Sequence, residues 1–206
     1  MKPPAVRVAC APLALSENHP PTSDHGSWLR RAYALLACVF VFRLVYLFLF
    51  CAEYDLAGDE AYYWDWGRRL DWGYYSKPPM IGWLMGLVGR ASGNAEWALR
   101  LAPLVLGTLS LALLHRLSLA MHGARAAFIT LLCVVLTPGN AALSLLFTID
   151  APLVLAWTGA LLAFWRALET PRARGSWLLL TLALGLGVLS KQMMLLFPVL
   201  MILTAA

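Results

Sequence analysis

Charged residues are scarce in this chain, and those whose types and spacing could do chemistry fall at few places. Asp59 and Glu60 are adjacent in Gly58-Asp59-Glu60-Ala61-Tyr62-Tyr63-Trp64-Asp65-Trp66, which runs on to Gly73-Tyr74-Tyr75-Ser76-Lys77-Pro78-Pro79. Asp150 stands just before one apolar run and Lys191 just after another, with Arg100 near the start of a third. Acids and cations brought to one membrane surface suit transfer of a group from a lipid phosphate. Lys and Arg hold phosphate by charge and donor geometry, and a carboxylate within reach of an incoming hydroxyl can take its proton.

Each of these residues also has a plainer role. Asp59 or Glu60 could cap a helix that begins there. Asp150 precedes Ala151-Pro152, a favourable helix start with Pro in the first turn. Lys191 could sit at a helix C-terminus, where the dipole favours a cation, and Lys77 could be an ordinary interfacial cation. Singly each signal is weak; agreement on one side of a membrane would strengthen them together.

The elements that must position them are helices. The 206 residues are 61% hydrophobic and 13% charged, against roughly 25% charged in soluble domains. Runs of about 20 apolar residues, the length that crosses a bilayer core, account for the deficit. The expected fold is all-α, a polytopic transmembrane helical bundle with interfacial helices in its first outer loop. Spans are expected at 32–52, about 98–119, 124–145, 151–168 and 175–190, with a sixth from Met193. Residues 1–31, polar and proline-rich, read as a disordered tail. Trp and Tyr in 53–78 suit the membrane–water interface, with a short helix from Asp59 or Glu60 to Leu70. Residues 79–90 are too short to span and read as another interfacial helix. Arg43 lies within the first span and either faces a neighbouring helix or cavity or snorkels to a headgroup.

With the tail inside, Lys2, Arg7, Arg30, Arg31, Arg116, Arg125, Arg166, Arg172 and Arg174 are cytoplasmic, against Arg68, Arg69, Lys77, Arg90, Arg100 and Lys191 outside. That excess favours a cytoplasmic N-terminus. The acids Glu53, Asp55, Asp59, Glu60, Asp65, Asp71, Glu96 and Asp150 all fall outside, so a functional outer face is expected. The net charge of +5 is scattered among apolar spans, which argues against nucleic-acid binding. Cys10, Cys38, Cys51 and Cys133 lack CxxC or zinc-ligand spacing and imply neither a disulfide framework nor a metal site.

GDEAYYWDWGRRLDWGYYSKPPMIGWL (58–84) resembles the first outer loop of the GT-C membrane glycosyltransferases. EWALRLAP (96–103), TIDAPLVLAW (148–157) and GLGVLSKQ (185–192) follow in the family's order. The likeness is to the dolichyl-phosphate-mannose protein mannosyltransferase and aminoarabinose transferase group, and it covers about residues 32–206. It implies a hexosyltransferase that moves a sugar from a polyprenyl-phosphate donor to a lipid, glycan or protein acceptor, with inversion, at the periplasmic or lumenal face. A multi-pass protein of the cell inner membrane is implied for this chain. By motif, Asp59, Glu60 and Asp150 match the family's acids, while Lys77 and Lys191 match cations near the donor phosphate. Arg100 falls within the second motif, at the same expected membrane level as Lys77. Some relatives of the family it resembles use a divalent cation such as Mg or Mn, and others do not.

Two departures stand out. Ser76-Lys77-Pro78-Pro79 replaces the Asp-His-Pro-Pro of many relatives, and the resemblance covers only the N-terminal half of such enzymes. A non-catalytic relic or partner subunit is therefore a rival reading. A transporter of lipid-linked substrates is another, although no internal repeat of the kind such folds carry is visible.

Overall fold

The computed structural model describes residues 22–50 and 56–205. Eight helices and one 3-10 turn make up the described chain: α1 Thr22–Phe50, α2 Gly58–Arg68, α3 Met80–Ser92, α4 Glu96–Val135, α5 Pro138–Leu145, α6 Asp150–Glu169, α7 Arg174–Ser190, the turn Gln192–Leu195 and α8 Leu196–Ala205. The described residues contain no strand. Three helices are long and apolar enough to cross a membrane, over Asp24–Leu49, Glu96–Val135 and Asp150–Glu169. Phe42, Leu49, Leu178, Ile202 and Leu203 are largely exposed on their outer surfaces. An apolar exterior of this kind suits lipid as the solvent. The chain is a helical membrane bundle.

α4 is not one rod. Gly123 takes φ 81° and ψ 176° in its middle, a left-handed conformation that glycine adopts without strain. The chain reverses there: Ser118 Oγ donates to Thr130 Oγ1 at 3.1 Å, although a straight helix would part them by about 18 Å. The limbs 96–122 and 124–135 thus correspond to the expected second and third spans. The third pass is itself broken, because Pro138 opens α5 as a separate short helix.

α1 lies along both limbs. Ala32, Leu111 and Leu131 form their common core. Tyr33 meets His115 edge-on at 5.9 Å, and Phe48 meets Trp97 at 6.5 Å, so α1 runs antiparallel to the first limb. α1 begins ten residues before the expected start at residue 32. Trp28 gives the reason: it packs on Phe128 with ring centroids 5.5 Å apart. Its ring also receives the Arg31 and Arg125 guanidinium groups, at 4.5 and 6.0 Å. Residues 22–31 are therefore helix rather than tail, while residues 1–21 lie outside the described residues.

Arg43 faces protein. It is 6% exposed, and its guanidinium donates to Ser144 Oγ and Asn140 Oδ1 of α5, both at 2.6 Å. Neutral acceptors on a packed helix take the place of water, the arrangement expected of an arginine within a span.

α6 and α7 form an antiparallel pair whose core, shared with the segment after α7, contains Leu153, Ala160, Ala163, Leu180, Met194 and Phe197. α2 and α3 pack together over the start of α4. Glu60, Tyr63 and Trp66 fall at helical spacing on the buried face of α2, and Ile81, Met85 and Gly89 do so on α3. The backbones touch where the helices meet: a Cβ on Gly67 would stand 2.6 Å from Gly86 N. Tyr63, Trp66, Ile81, Met85, Leu99, Phe147 and Ile149 form the core beneath.

Candidate functional site

The antiparallel course of α6 and α7 brings the N-terminus of one beside the C-terminus of the other. Asp150 opens α6 and Lys191 closes α7, each charge at the helix end that suits its sign. Lys191 Nζ donates to Asp150 Oδ1 at 2.7 Å. Asp150 is not used as a side-chain cap of α6; its carboxylate goes to the lysine. Lys191 leaves the helix in extended conformation, φ −157° and ψ 136°. Behind it Met194, fully buried, folds over Gly187 so closely that a Cβ there would lie 2.5 Å from Met194 Cγ. The pair is thus fixed at a helix end and stays partly open to solvent, with side-chain exposures of 34% for Lys191 and 39% for Asp150.

Glu60 ties a second element to this corner. It is 1% exposed, and both carboxylate oxygens are engaged: Oε2 accepts the Ala57 N–H at 3.0 Å and Oε1 accepts the Phe147 N–H at 2.8 Å. The first bond caps α2, as expected for an acid at a helix start. The second reaches across the fold to the segment that leads into Asp150. A buried carboxylate satisfied by two backbone donors is a positioning group.

Asp59, its neighbour, is exposed and makes no hydrogen bond or ion pair with any described residue. Tyr63, 6% exposed, is near enough to both Asp59 and Asp150 to feel their charges. Burial, and then the nearby charges of Asp59 and Asp150, push the Tyr63 phenol above its ordinary pKa. The tyrosine therefore stays a neutral donor while feeling both acids. Its aromatic setting resembles the many interfacial rings around it, and only its position one helical turn after Asp59 could have marked it in the sequence.

Lys77 follows a tight turn in which Tyr74 N donates to Lys77 O at 3.1 Å and Lys77 N donates to Tyr74 O at 3.4 Å. Tyr74 stacks flat on Trp66 at 4.4 Å, and its hydroxyl donates to Trp66 O at 3.0 Å. Trp83 Nε1 donates to Asp71 O at 2.8 Å, so both ends of the loop are stitched to α2 and α3. The Lys77 side chain is half-buried and makes no ion pair with a described residue. Arg100 is buried in the first turns of α4.

An apolar groove of about 560 Å³ opens between α4, α6 and α7. At one end it is rimmed by Met80, Pro152 and Ser190, close in the chain to Lys77, Asp150 and Lys191. Among the described residues no group of three or more His, Cys, Asp or Glu is placed to hold a metal ion. Asp59 and Asp150 supply carboxylates, but Asp150 is already held by Lys191, a poor fit to a cation site built from these residues alone.

Residues 76–206 match the family described as dolichyl-phosphate-mannose-protein mannosyltransferase. The match includes Lys77, Arg100, Asp150 and Lys191; Asp59 and Glu60 precede it. A curated relative, the lipid A galacturonosyltransferase RgtD of Rhizobium johnstonii, is 36% identical over 144 residues, which cover 66% of this chain and 29% of that protein. The chain thus spans under a third of the length of the relative it matches. No solved structure matches.

Proposed function

Because the chain belongs to the dolichyl-phosphate-mannose-protein mannosyltransferase family, we propose that it supplies the donor-side pole of a membrane sugar transferase. The donor is a sugar on a polyprenyl phosphate. An acceptor hydroxyl attacks the anomeric carbon as the carbon–oxygen bond to phosphate breaks, and the configuration inverts. Asp59 takes the hydroxyl proton, and the polyprenyl phosphate departs with its new negative charge against Lys77 and Lys191. Lys191 has three ammonium donors, so it can serve the phosphate while holding Asp150. Glu60 orients α2 against the segment before Asp150. Tyr63, neutral, is available as a hydrogen-bond donor near the two acids, and Arg100 adds positive charge from the start of α4.

The observation that carries this reading is the Glu60–Phe147 bond, which ties the helical turn bearing the exposed, unengaged Asp59 to the segment leading into the Asp150–Lys191 ion pair. The relative's action on lipid A favours a lipid acceptor over a protein one. The Lys and Arg distribution supports a cytoplasmic N-terminus and transfer at the outer face of an inner membrane.

The test is the rate of sugar transfer by the full-length protein carrying Asp59→Asn. Loss of a positioned general base lowers such rates by about 10²–10⁴-fold. Transfer at the wild-type rate would remove Asp59 from the role.

A further inference from the structure

The groove has a second end with a different chemistry. Arg116 and Arg166 line it, and Arg166 lies about 24 Å along α6 from Asp150 at 1.5 Å rise per residue. Both arginines are exposed and neither is paired with a described carboxylate. A second apolar groove, of about 390 Å³, lies between α1 and α4. The two grooves share Leu113, Arg116 and Leu155. Arg116 therefore stands where two apolar channels meet.

A third observation falls at the same junction. His115 lines the second groove and is 1% exposed, and neither ring nitrogen has a hydrogen-bond partner. The Ala127 backbone is its polar neighbour, and both ring nitrogens are closed to solvent. The ring therefore belongs to the closed floor where the two grooves meet, and the open polar groups of the junction are the two arginines.

We propose that this junction binds one two-chain anionic phospholipid in the leaflet opposite the Asp150–Lys191 pair. Its phosphate sits on Arg116 and Arg166, and one acyl chain lies in each groove. Paired guanidiniums recognise phosphate, and basic pockets between transmembrane helices suit anionic headgroups. The hydrocarbon end of an isoprenoid chain entering from the other mouth carries no charge and gains nothing from two arginines. The inference is independent of the sugar-transfer reading.

Native mass spectrometry of the full-length protein in detergent tests it, with phosphatidylglycerol and phosphatidylcholine of identical acyl chains as probes. One phosphatidylglycerol should be retained with at least tenfold preference. Arg116→Gln with Arg166→Gln should abolish that preference, the corresponding lysine variants should keep most of it, and Leu113→Trp should weaken retention of both lipids. Thermal melting of each variant identifies any that fail to fold, and the lysine pair then carries the comparison. Equal retention of both lipids by the wild type would overturn the proposal. So would a preference that survives the glutamine pair, or a groove closed to both lipids by other helices of the full-length chain.

Discussion

Glu60 and Phe147 lie 87 positions apart, and the carboxylate of one accepts the backbone N–H of the other at 2.8 Å with both residues buried. This bond fixes the loop helix α2 to the entry of α6, and with it the spacing of Asp59 from Asp150. Glu60→Gln has one carbonyl oxygen for two backbone donors. The variant should lose about 1–3 kcal/mol, the penalty for a buried donor left unpaired, read as a lower melting temperature in detergent. An unchanged melt would show that the clamp contributes nothing.

Asp150 and Lys191 predict a split between stability and activity. Both side chains are slightly more than a third exposed, and an ion pair so placed contributes about 0–1 kcal/mol to folding. Asp150→Asn and Lys191→Gln should therefore melt close to wild type while sugar transfer by the full-length protein falls sharply. The double variant should lose less than the product of the two single losses, because the residues act as a unit. Fully multiplicative losses would mean the pair has no joint role.

Gly67 and Gly86 hold α2 against α3 by backbone contact. Gly67→Ala places a methyl 2.6 Å from Gly86 N, and Gly86→Ala one 2.6 Å from Gly67 O. Backbone cannot swing aside as a side chain can, so each substitution should destabilise by about 1–3 kcal/mol. Gly73→Ala, where a Cβ meets open space, is the matched control and should melt normally.

Tyr63 gives a pH signature. Its phenol is held above the ordinary value of 10.0 by burial and by Asp59 and Asp150. The folded protein thus keeps this proton while the unfolded chain loses it, so the group's contribution to stability is intact below pH about 10 and declines above it. An ultraviolet titration should show one late-ionising tyrosine that disappears in Tyr63→Phe and titrates earlier in Asp59→Asn. An unaltered curve in Tyr63→Phe would contradict the assignment.

Apolar runs and interfacial aromatics made the helices legible in the sequence, and the polar break near His122 announced the reversal realised at Gly123. The alternating burial of α2 follows from spacing alone. What escaped depended on distant partners. The early start of α1 rests on Trp28 meeting Phe128, and the two readings of Arg43 could be separated only by finding Asn140 and Ser144. For the site, the residue types suggested Asp59 and Glu60 as equivalents. Their separation into an open acid and a buried clamp needed the Phe147 N–H, which no side-chain pattern reveals.

Arg43 also sets an order on biogenesis. Its hydrogen-bond partners lie 97 and 101 positions further along the chain. At about 5–20 residues per second, α1 leaves the ribosome roughly 5–20 s before α5 has been made. During that interval a guanidinium within the first membrane segment has none of its final acceptors. Shelter at the insertion machinery or a position near the headgroups would cover that interval, so release of α1 into lipid is expected to wait for α5 rather than to proceed helix by helix.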